Sequence, residues 1–169
     1  NPKVGARKLK IVEVGPSEAR EFLNAHHIQG FVGASVYCAG IFDGEIVALA
    51  SFKRRSKGYE LSRYATSVNV QGGHSRIVSY FERTYNPESL CTFADLTFSD
   101  GGLYRNTGWR EDKLLPPDYS YLRSGVRQHK FSYRITRFRN DPSLEFVDGA
   151  SERELAAMNN LLRVYDAGK

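Results

Sequence analysis

The acidic residue Asp95 stands where an apolar segment gives way to small and polar residues, in the sequence FADLTFSDGGLYRNTGWRE from Phe93 to Glu111. A carboxylate after an apolar strand is typical of a ligand crevice, because crevices in open α/β sheets lie beyond the carboxyl ends of the strands. Asp is also a common turn residue, so a turn-forming Asp95 is an equal alternative at this point. We expect Ser99, in the loop that follows, to contact the same ligand.

The cationic residue Arg63 falls inside an apolar strand pattern, YELSRYATS. Strand alternation predicts Glu60 and Ser62 on one face and Leu61 and Arg63 on the other. An Arg inside a sheet is costly unless it is paired, and we expect Asp95 on a neighbouring strand to be its partner. Such a pair would hold Asp95 ionised, ready to accept a proton from an amine or to fix a cofactor. The alternative is an ion pair with a structural role only.

Basic residues form two clusters in a chain of 169 residues whose net charge is +5. The second cluster, between Arg123 and Arg139, also contains Phe131, Tyr133 and Phe138. Cations among aromatic rings are typical of nucleic-acid surfaces, because the cations neutralise phosphates while the rings stack on bases. A solvated loop and a strand with a basic outer face are the alternative. The residues predicted to contact DNA are Lys53, Arg54, Arg55, Lys57, Arg127, His129, Lys130 and Arg134.

The composition predicts one folded domain over residues 1–169, with a core at about 8–138 and a C-terminal extension at 143–169. Hydrophobic residues make up 41% of the chain, and no apolar run is long enough for a membrane helix. Cys38 and Cys91 lie in apolar contexts, which predicts buried, reduced thiols and a cytoplasmic location. Because the chain begins with Asn1, we expect a processed or excised chain whose neighbouring domains lie elsewhere. No nuclease signature is visible in the sequence.

The order of hydrophobic patterns predicts an α/β (α+β) fold with a mixed, mostly antiparallel, twisted sheet and helices on both faces. Helices are expected at Pro16, with Ser17 as N-cap, after the Gly72-Gly73 turn until Asn86, around Tyr104, and after a capping box at Ser151 and Glu154. Asp43-Gly44 predicts a hairpin. The predicted strands read KLKIVEV, ASVYCAGIF, GEIVALASF, YELSRYATS, SLCTFAD, PDYSYLR, HKFSYRITRF and LLRVYDAG.

This order of elements and the segment GGLYRNTGW resemble the GNAT superfamily of N-acetyltransferases, whose penultimate helix usually reads Ala-x-x-x-Tyr-x-x-x-Gly-Phe. The comparable positions here are Gly101, Tyr104, Gly108 and Trp109. The resemblance covers roughly Lys8 to Phe138 and implies a single GNAT-like domain. It also implies that Tyr104 acts as a general acid toward a leaving thiolate. An aromatic residue at this helical spacing is also often simply part of the core.

A second resemblance is to GNAT-like domains attached to phage homing-endonuclease-like proteins, and to the Mom-type DNA-modification proteins of phage. It rests on the ordered segments HHIQG, YELSRY, GGHSRIVSYF, TFADLTFSDGGLYRNTGW, PDYSYL, RQHK and VYDAG. In Mom-type proteins a GNAT-like scaffold converts adenine in DNA to a carbamoylmethyl derivative.

The resemblance to Mom-type proteins implies a group transfer to a nucleobase in a phage-infected bacterial cell. It implies Asp95, Arg63, Tyr104 and His27 as the catalytic residues, with iron at His27 as a minority alternative. The rival function is a catalytically inactive GNAT-like module that supplies DNA binding to an attached nuclease domain.

The segment NVQGGHSR predicts a Gly-containing turn where acetyltransferases bind the pyrophosphate of coenzyme A. There, Gln/Arg-x-x-Gly-x-Gly/Ala supplies backbone N–H groups and a helix N-terminus. Asn69 or Val70 stands at the first place of this motif here, so we expect poor binding of acetyl coenzyme A and leave another acyl donor open. A purely structural turn is an equal alternative. The residues assigned to a cofactor are Gly72, Gly73, His74, Ser75 and Arg76.

Overall fold

The structure, a computed structural model, describes residues 3–169. Along the chain, a first compact unit ends at Phe93 and a second begins at Ala94. The prediction of one domain over residues 1–169 stays a prediction. In chain order, the elements of the first unit are β1 (Lys3–Gly5), a 3₁₀ turn (Ala6–Lys8), β2 (Lys10–Glu13), α1 (Pro16–His26), β3 (Val36–Phe42), β4 (Glu45–Arg54), β5 (Tyr59–Thr66), β6 (Asn69–Gln71), α2 (Gly73–Tyr85) and β7 (Leu90–Thr92).

A five-stranded sheet in the order β2-β3-β4-β5-β7 is the centre of the first unit. Its first three pairings are antiparallel, and β5 pairs with β7 in parallel. A parallel pair needs a crossover connection, and α2 lies in that connection. The parallel pairing is short: it joins Tyr59–Leu61 to residues 90–92 and ends there.

Helices cover both faces of this sheet, as the sequence predicted. On one face, the α1 residues Phe22 and Leu23 share a buried cluster with Leu49 of β4. On the other face, Phe81 of α2 stacks on Phe52 of β4, with ring centroids 3.7 Å apart. Neighbouring residues of a strand point to opposite faces, so the central part of β4, residues 47–52, is buried on both sides.

Two turns of the first unit follow the local sequence closely. Asp43 and Gly44 adopt positive φ angles of 50° and 86°, as the predicted hairpin between β3 and β4 requires. Asn86 is left-handed at the C-cap of α2, with a φ of 42°, and the helix ends at the predicted place. These turns need left-handed backbone, which Asn, Asp and Gly adopt most readily.

The start of α1 differs from the prediction. The N-cap is Gly15 rather than Ser17, and Pro16 takes the first helical position, where its missing N–H costs nothing. The Glu18 carboxylate accepts a hydrogen bond from the N–H of this N-cap residue, Gly15, at 3.0 Å.

Several predicted strand boundaries and environments were wrong. Lys8 belongs to the 3₁₀ turn, so β2 is shorter than KLKIVEV, and the pairing of β1 with β6 has no counterpart in the prediction. Strand β7 ends at Thr92 on the sheet edge, and Asp95 therefore does not end a buried strand. Cys38 is buried as expected, but Cys91 is exposed on this edge strand.

In the second unit a three-stranded antiparallel sheet packs with short helices. The elements are α3 (Gly102–Asn106), β8 (Tyr119–Arg123), β9 (Val126–His129), a 3₁₀ turn (Lys130–Tyr133), α4 (Ile135–Asn140), α5 (Glu152–Met158) and β10 (Leu162–Tyr165). The strand order is β10-β8-β9. A buried cluster that includes Tyr121, Tyr133, Phe138 and Leu155 holds the unit together.

The segment HKFSYRITRF is not a strand. Residues 126–129 form the strand that pairs with β8, and the chain then turns through the 3₁₀ turn into α4. The prediction failed because aromatic residues are common in strands, and the pattern suggested one here. Tyr133 and Phe138 are instead buried from the 3₁₀ turn and from α4. The capping box of α5 is confirmed, since Ser151 and Glu154 exchange both hydrogen bonds.

The chain is thus a mixed α+β protein with mostly antiparallel sheets, as the sequence predicted. No helix within residues 3–169 is long and apolar enough to cross a membrane.

Candidate functional site

A β-bulge in β5 decides where Arg63 points. Ser51 of β4 pairs with Arg63 while the next residue, Phe52, pairs with Leu61, so Ser62 is the extra residue. Phe52 faces α2, so Leu61 faces α2 and Arg63 faces α1. The prediction that Leu61 and Arg63 share a face is therefore wrong, because one inserted residue reverses the alternation.

Arg63 fastens the loop that follows α1. Its Nε donates to the Gly30 carbonyl oxygen at 3.1 Å, and its Nη1 donates to the Ser62 carbonyl oxygen at 2.8 Å. Gly30 has a φ of +63°, a backbone conformation that is strained for any residue with a side chain. The guanidinium is half-buried and joins the bulge of β5 to this loop.

His27, the C-cap of α1, lies within electrostatic reach of Arg63. Burial and the Arg63 charge lower the pKa of His27 from 6.5 to about 4, so the imidazole is neutral at neutral pH. Its Nδ1 accepts a hydrogen bond from the Gln29 N–H at 3.1 Å. A neutral ring that accepts at Nδ1 carries its proton on Nε2, and His27 is therefore set up as a hydrogen-bond donor at Nε2.

Further polar side chains lie on β5 before Arg63, around Glu60. The Glu60 carboxylate pairs with Arg55 and lies 3.2 Å from the Ser62 hydroxyl. On the other side of Arg63, the Ser51 Oγ is fully buried and has no hydrogen-bond partner within residues 3–169. The structure thus gathers a neutral imidazole, a guanidinium and a carboxylate at one end of the α1 face.

The pairing of β5 with β7 stops directly before this group of residues. The last paired residue is Leu61, and Ser62 and Arg63 follow it on the part of β5 that β7 leaves uncovered. A strand that loses its neighbour exposes backbone N–H and C=O groups along that edge. One of these groups, the Ser62 carbonyl oxygen, accepts a hydrogen bond from the Arg63 Nη1.

Asp95 and Tyr104, two further predicted catalytic residues, belong to the second unit. The Asp95 Oδ1 accepts from the Thr97 N–H at 3.0 Å, and its carbonyl oxygen accepts from the N–H groups of Phe98 and Ser99. Asp95 therefore forms the turn that the residue type also suggested. Its pairing with Arg63 and its catalytic role stay predictions.

Tyr104 lies on α3 and is half-buried, with its ring in an edge-to-face contact with Trp109 at 5.8 Å. Ser99 is exposed, and its hydroxyl accepts from the Gly101 N–H at 3.1 Å. Gly101 has a φ of +76° and caps α3, as a Gly at this position of the motif allows. The roles of Tyr104 as an acid and of Ser99 as a ligand contact stay predictions.

The predicted glycine turn is present at the start of α2, and its binding of a cofactor stays a prediction. Gly72 is its left-handed N-cap, with a φ of +75°, and Ser75 and Arg76 are exposed beside it. Gly73 has a packing reason to be glycine, because a Cβ there would lie 2.9 Å from the Tyr64 hydroxyl. His74 is buried edge-to-face against the Tyr64 ring, and burial lowers its pKa to about 4.

The predicted DNA-contacting residues lie in both units. Lys53, Arg54 and Lys57 are exposed at the β4–β5 hairpin. In the second unit, Lys130 pairs with Asp118 at 2.6 Å and Arg134 pairs with Glu152 at 3.2 Å. These carboxylates come from distant sequence positions and lower the net charge of a segment that read as uniformly basic.

No three or more His, Cys, Asp or Glu side chains come together within residues 3–169 in a way that could hold a metal ion. Tyrosine is not among these residue types, so iron at His27 stays a prediction.

Comparison with solved structures shows similarity to proteins that include a GNAT-family acetyltransferase. The chain resembles the acetyltransferase SP0256 of the GNAT family from Streptococcus pneumoniae TIGR4, with 14% sequence identity and a TM-score of 0.47. The similarity covers 60% of this chain and 87% of that chain. No family model matches the sequence, and no curated protein is significantly similar to it. At this identity and TM-score the similarity carries no argument about activity.

Sequence reasoning missed three parts of the site. The Gly30 carbonyl and the Gln29 N–H are backbone groups, which no side-chain pattern reveals. Ser51 lies in an ordinary apolar strand, ALASF, and only the strand register places it beside Arg63. Glu60 was visible in the motif Glu-Leu-Ser-Arg, but only the bulge brings Arg63 to the same face of the sheet as Glu60.

Proposed function

We propose that this protein is a GNAT-like group transferase that modifies a nucleobase in DNA, with its transfer site at the end of α1 in the first unit. The observation that carries the proposal is that Arg63 is hydrogen-bonded to the turn that begins at His27. The Arg63 Nε donates to the Gly30 carbonyl oxygen at 3.1 Å, and the Gly30 N–H donates to the His27 carbonyl oxygen at 2.8 Å. Phage-type DNA modification is the finer proposal, and it rests on the Mom-type resemblance of the segments that contain His27 and Arg63.

The chemistry of the two side chains suits stabilisation of a developing oxyanion. The neutral His27 ring donates from Nε2 to the carbonyl oxygen of the transferred group, while the Arg63 guanidinium supplies a fixed positive charge nearby. Fixed donors and charges of this kind stabilise the transition state of acyl transfer because they need no reorganisation during the reaction. In an acyl transfer, the base amine forms a bond to the carbonyl carbon and the bond from that carbon to the leaving group breaks. The leaving group takes the proton that the amine loses, and the product is an N-acylated base.

Exposed cations in the same unit support a nucleic-acid substrate. Lys53, Arg54 and Lys57 carry three positive charges on one hairpin, and none of them has a carboxylate partner within residues 3–169. Such a cluster attracts phosphates through counterion release. A base in a duplex would have to leave the stack to react, as bases do in other enzymes that modify DNA.

The direct test is mass spectrometry of nucleosides from the DNA of cells that express the protein. We expect a new modified nucleoside with the wild-type protein and with His26→Gln, the control at the exposed neighbouring His. We expect none with His27→Ala or Arg63→Met, provided that both variants melt as cooperatively as the wild type. Unmodified DNA in the wild-type cells, or full modification with His27→Ala, would refute the proposal.

A second candidate function is a catalytically inactive module that binds nucleic acid. The observation in its favour is that packing against Tyr64 accounts for Gly73, so the glycine turn has a structural explanation without a cofactor. Titration calorimetry with acetyl coenzyme A, taken together with the nucleoside analysis, tests this second function. Micromolar binding would favour an ordinary acetyltransferase, whereas no binding together with unmodified DNA would favour the module.

A further inference from the structure

The aromatic residues of the basic segment differ sharply in exposure. Tyr133 and Phe138 are buried, each with 1% of its surface exposed, whereas 58% of Phe131 is exposed. A base can stack only on a ring that solvent reaches. Phe131 is therefore the ring of this segment that can contact a ligand.

Phe131 is held at both ends by its neighbours. Its N–H donates to the His129 Nδ1 at 3.2 Å, which caps the 3₁₀ turn. Two residues later, the Tyr133 hydroxyl donates to the Gln128 Oε1 at 2.7 Å from within the buried cluster. The exposed ring thus stands on a fixed backbone, so a ligand that stacks on it would lose little affinity to the ordering of a mobile segment.

Cationic and aromatic side chains surround the Phe131 ring. The Arg134 guanidinium lies 4.4 Å from the ring centroid and is held there by Glu152. The His129 ring lies 4.9 Å away at a tilt of 47°. Arg127 projects from the same face of β9 as His129, and its Nε donates to the neutral Ser120 hydroxyl. Arg127 has no carboxylate partner within residues 3–169, so its full charge is available to a phosphate.

We propose that Phe131, with His129 and Arg134 beside it and Arg127 next along the surface, is a stacking platform for an unpaired base of single-stranded nucleic acid. The inference rests on the proposed nucleic-acid function and adds the ligand class and the residues of a site in the second unit. An exposed ring among cations binds single strands, because bases offer a ring face only when they are unpaired, while the cations follow the phosphates. In a duplex the base faces are already stacked on one another.

The test measures binding of the full chain by fluorescence anisotropy with labelled oligothymidylate, oligouridylate, a matched duplex and an abasic oligomer of equal length. We expect Phe131→Ala to weaken binding of the two single strands by about 5- to 100-fold and to leave abasic binding unchanged. The two single strands show whether the platform distinguishes DNA from RNA. Phe131→Trp should retain affinity, and the fluorescence of the new Trp should be quenched when a base stacks on it.

Val126→Ala is the matched control, because it truncates an apolar side chain that is 59% exposed on β9, the strand before the 3₁₀ turn of Phe131, on the face away from His129. It should bind like the wild type, and all variants should melt at the wild-type temperature. If the wild type binds none of the four probes, the nucleic-acid function itself fails. If it binds them but Phe131→Ala changes nothing, or weakens the abasic oligomer equally, only the stacking platform is overturned.

Discussion

At the scale of single residues, His27 makes the stability of the fold depend on pH. Its pKa is lowered from 6.5 to about 4 by burial and by Arg63, so the folded protein resists protonation that the unfolded chain accepts. The unfolded chain therefore binds more protons between pH 6.5 and 4, and stability rises with pH across this window. Below about pH 4 both states are protonated and no further stability is lost through this residue.

We predict that His27→Gln reduces the loss of stability on acidification from pH 6.5 to 4 by about 1–2 kcal/mol, which is less than the full pKa shift would give because solvent screens the partly exposed ring. The measurement is denaturant unfolding at a series of pH values. The stability of the variant should still depend on pH in part, because the pKa of the buried His74 is also lowered to about 4. His26→Gln, at an exposed position, is the control and should follow the wild-type curve. Identical slopes for His27→Gln and the wild type would show that His27 is accessible to protons in the folded state.

Asp95 allows its two roles to be separated by one substitution. Asn keeps an oxygen that accepts from the Thr97 N–H but removes the charge, so Asp95→Asn should preserve the turn. If the carboxylate takes part in the reaction, this variant yields no modified nucleoside. Full modification by Asp95→Asn would assign Asp95 to the turn alone.

At the scale of elements, the β4–β5 hairpin and the start of β7 meet at Gly58. Gly58 has a φ of +90°, and a Cβ there would overlap the Ser89 carbonyl oxygen, which accepts from the Tyr59 N–H at 2.9 Å. Gly44, in the β3–β4 hairpin, has a φ of +86° but no atom within 4 Å of such a Cβ. The two glycines thus share a backbone conformation and differ only in their surroundings.

We predict that Gly44→Ala costs about 1–2 kcal/mol of unfolding free energy, the cost of left-handed backbone for a side chain. Gly58→Ala should cost about 1–3 kcal/mol more, because the overlap with Ser89 must be relieved by a shift of the backbone before β7. Denaturant unfolding of both variants measures the difference. Equal costs would mean that residues 89–92 move freely relative to the hairpin.

At the scale of the whole molecule, charge pairing sets how the protein responds to salt. Arg55, Lys130, Arg134 and Arg137 each have a carboxylate partner, although the net charge of the chain is +5. A paired cation neutralises a phosphate less effectively, so fewer counterions are released on binding than the sequence suggests. Exposed pairs of this kind contribute little to stability.

We predict that Glu152→Gln strengthens nucleic-acid binding and steepens its salt dependence, because it frees Arg134. The slope of log affinity against log salt should increase by about 0.7–0.9 if one more phosphate is neutralised. Glu111→Gln, at an exposed position, changes the net charge equally and is the control. Similar slopes for the two variants would show that net charge, rather than Arg134, governs binding.

The sequence by itself determined the features that depend on neighbours along the chain. Alternation and turn residues predicted the β3–β4 hairpin, the end of α2 at Asn86 and the capping box of α5, and all three are confirmed. Hydrophobic patterns also predicted the mixed, mostly antiparallel architecture. Such features are local because each requires particular backbone angles or a spacing of two to four residues.

Only the tertiary structure decided the features that depend on pairing between distant segments. The bulge at Ser62 sends Arg63 to the α1 face beside His27, and no pattern within β5 reveals it because the extra residue exists only relative to β4. The partners Asp118 and Glu152, which neutralise part of the basic segment, are likewise set by packing. Register and burial are properties of two segments together, and a sequence read one segment at a time cannot contain them.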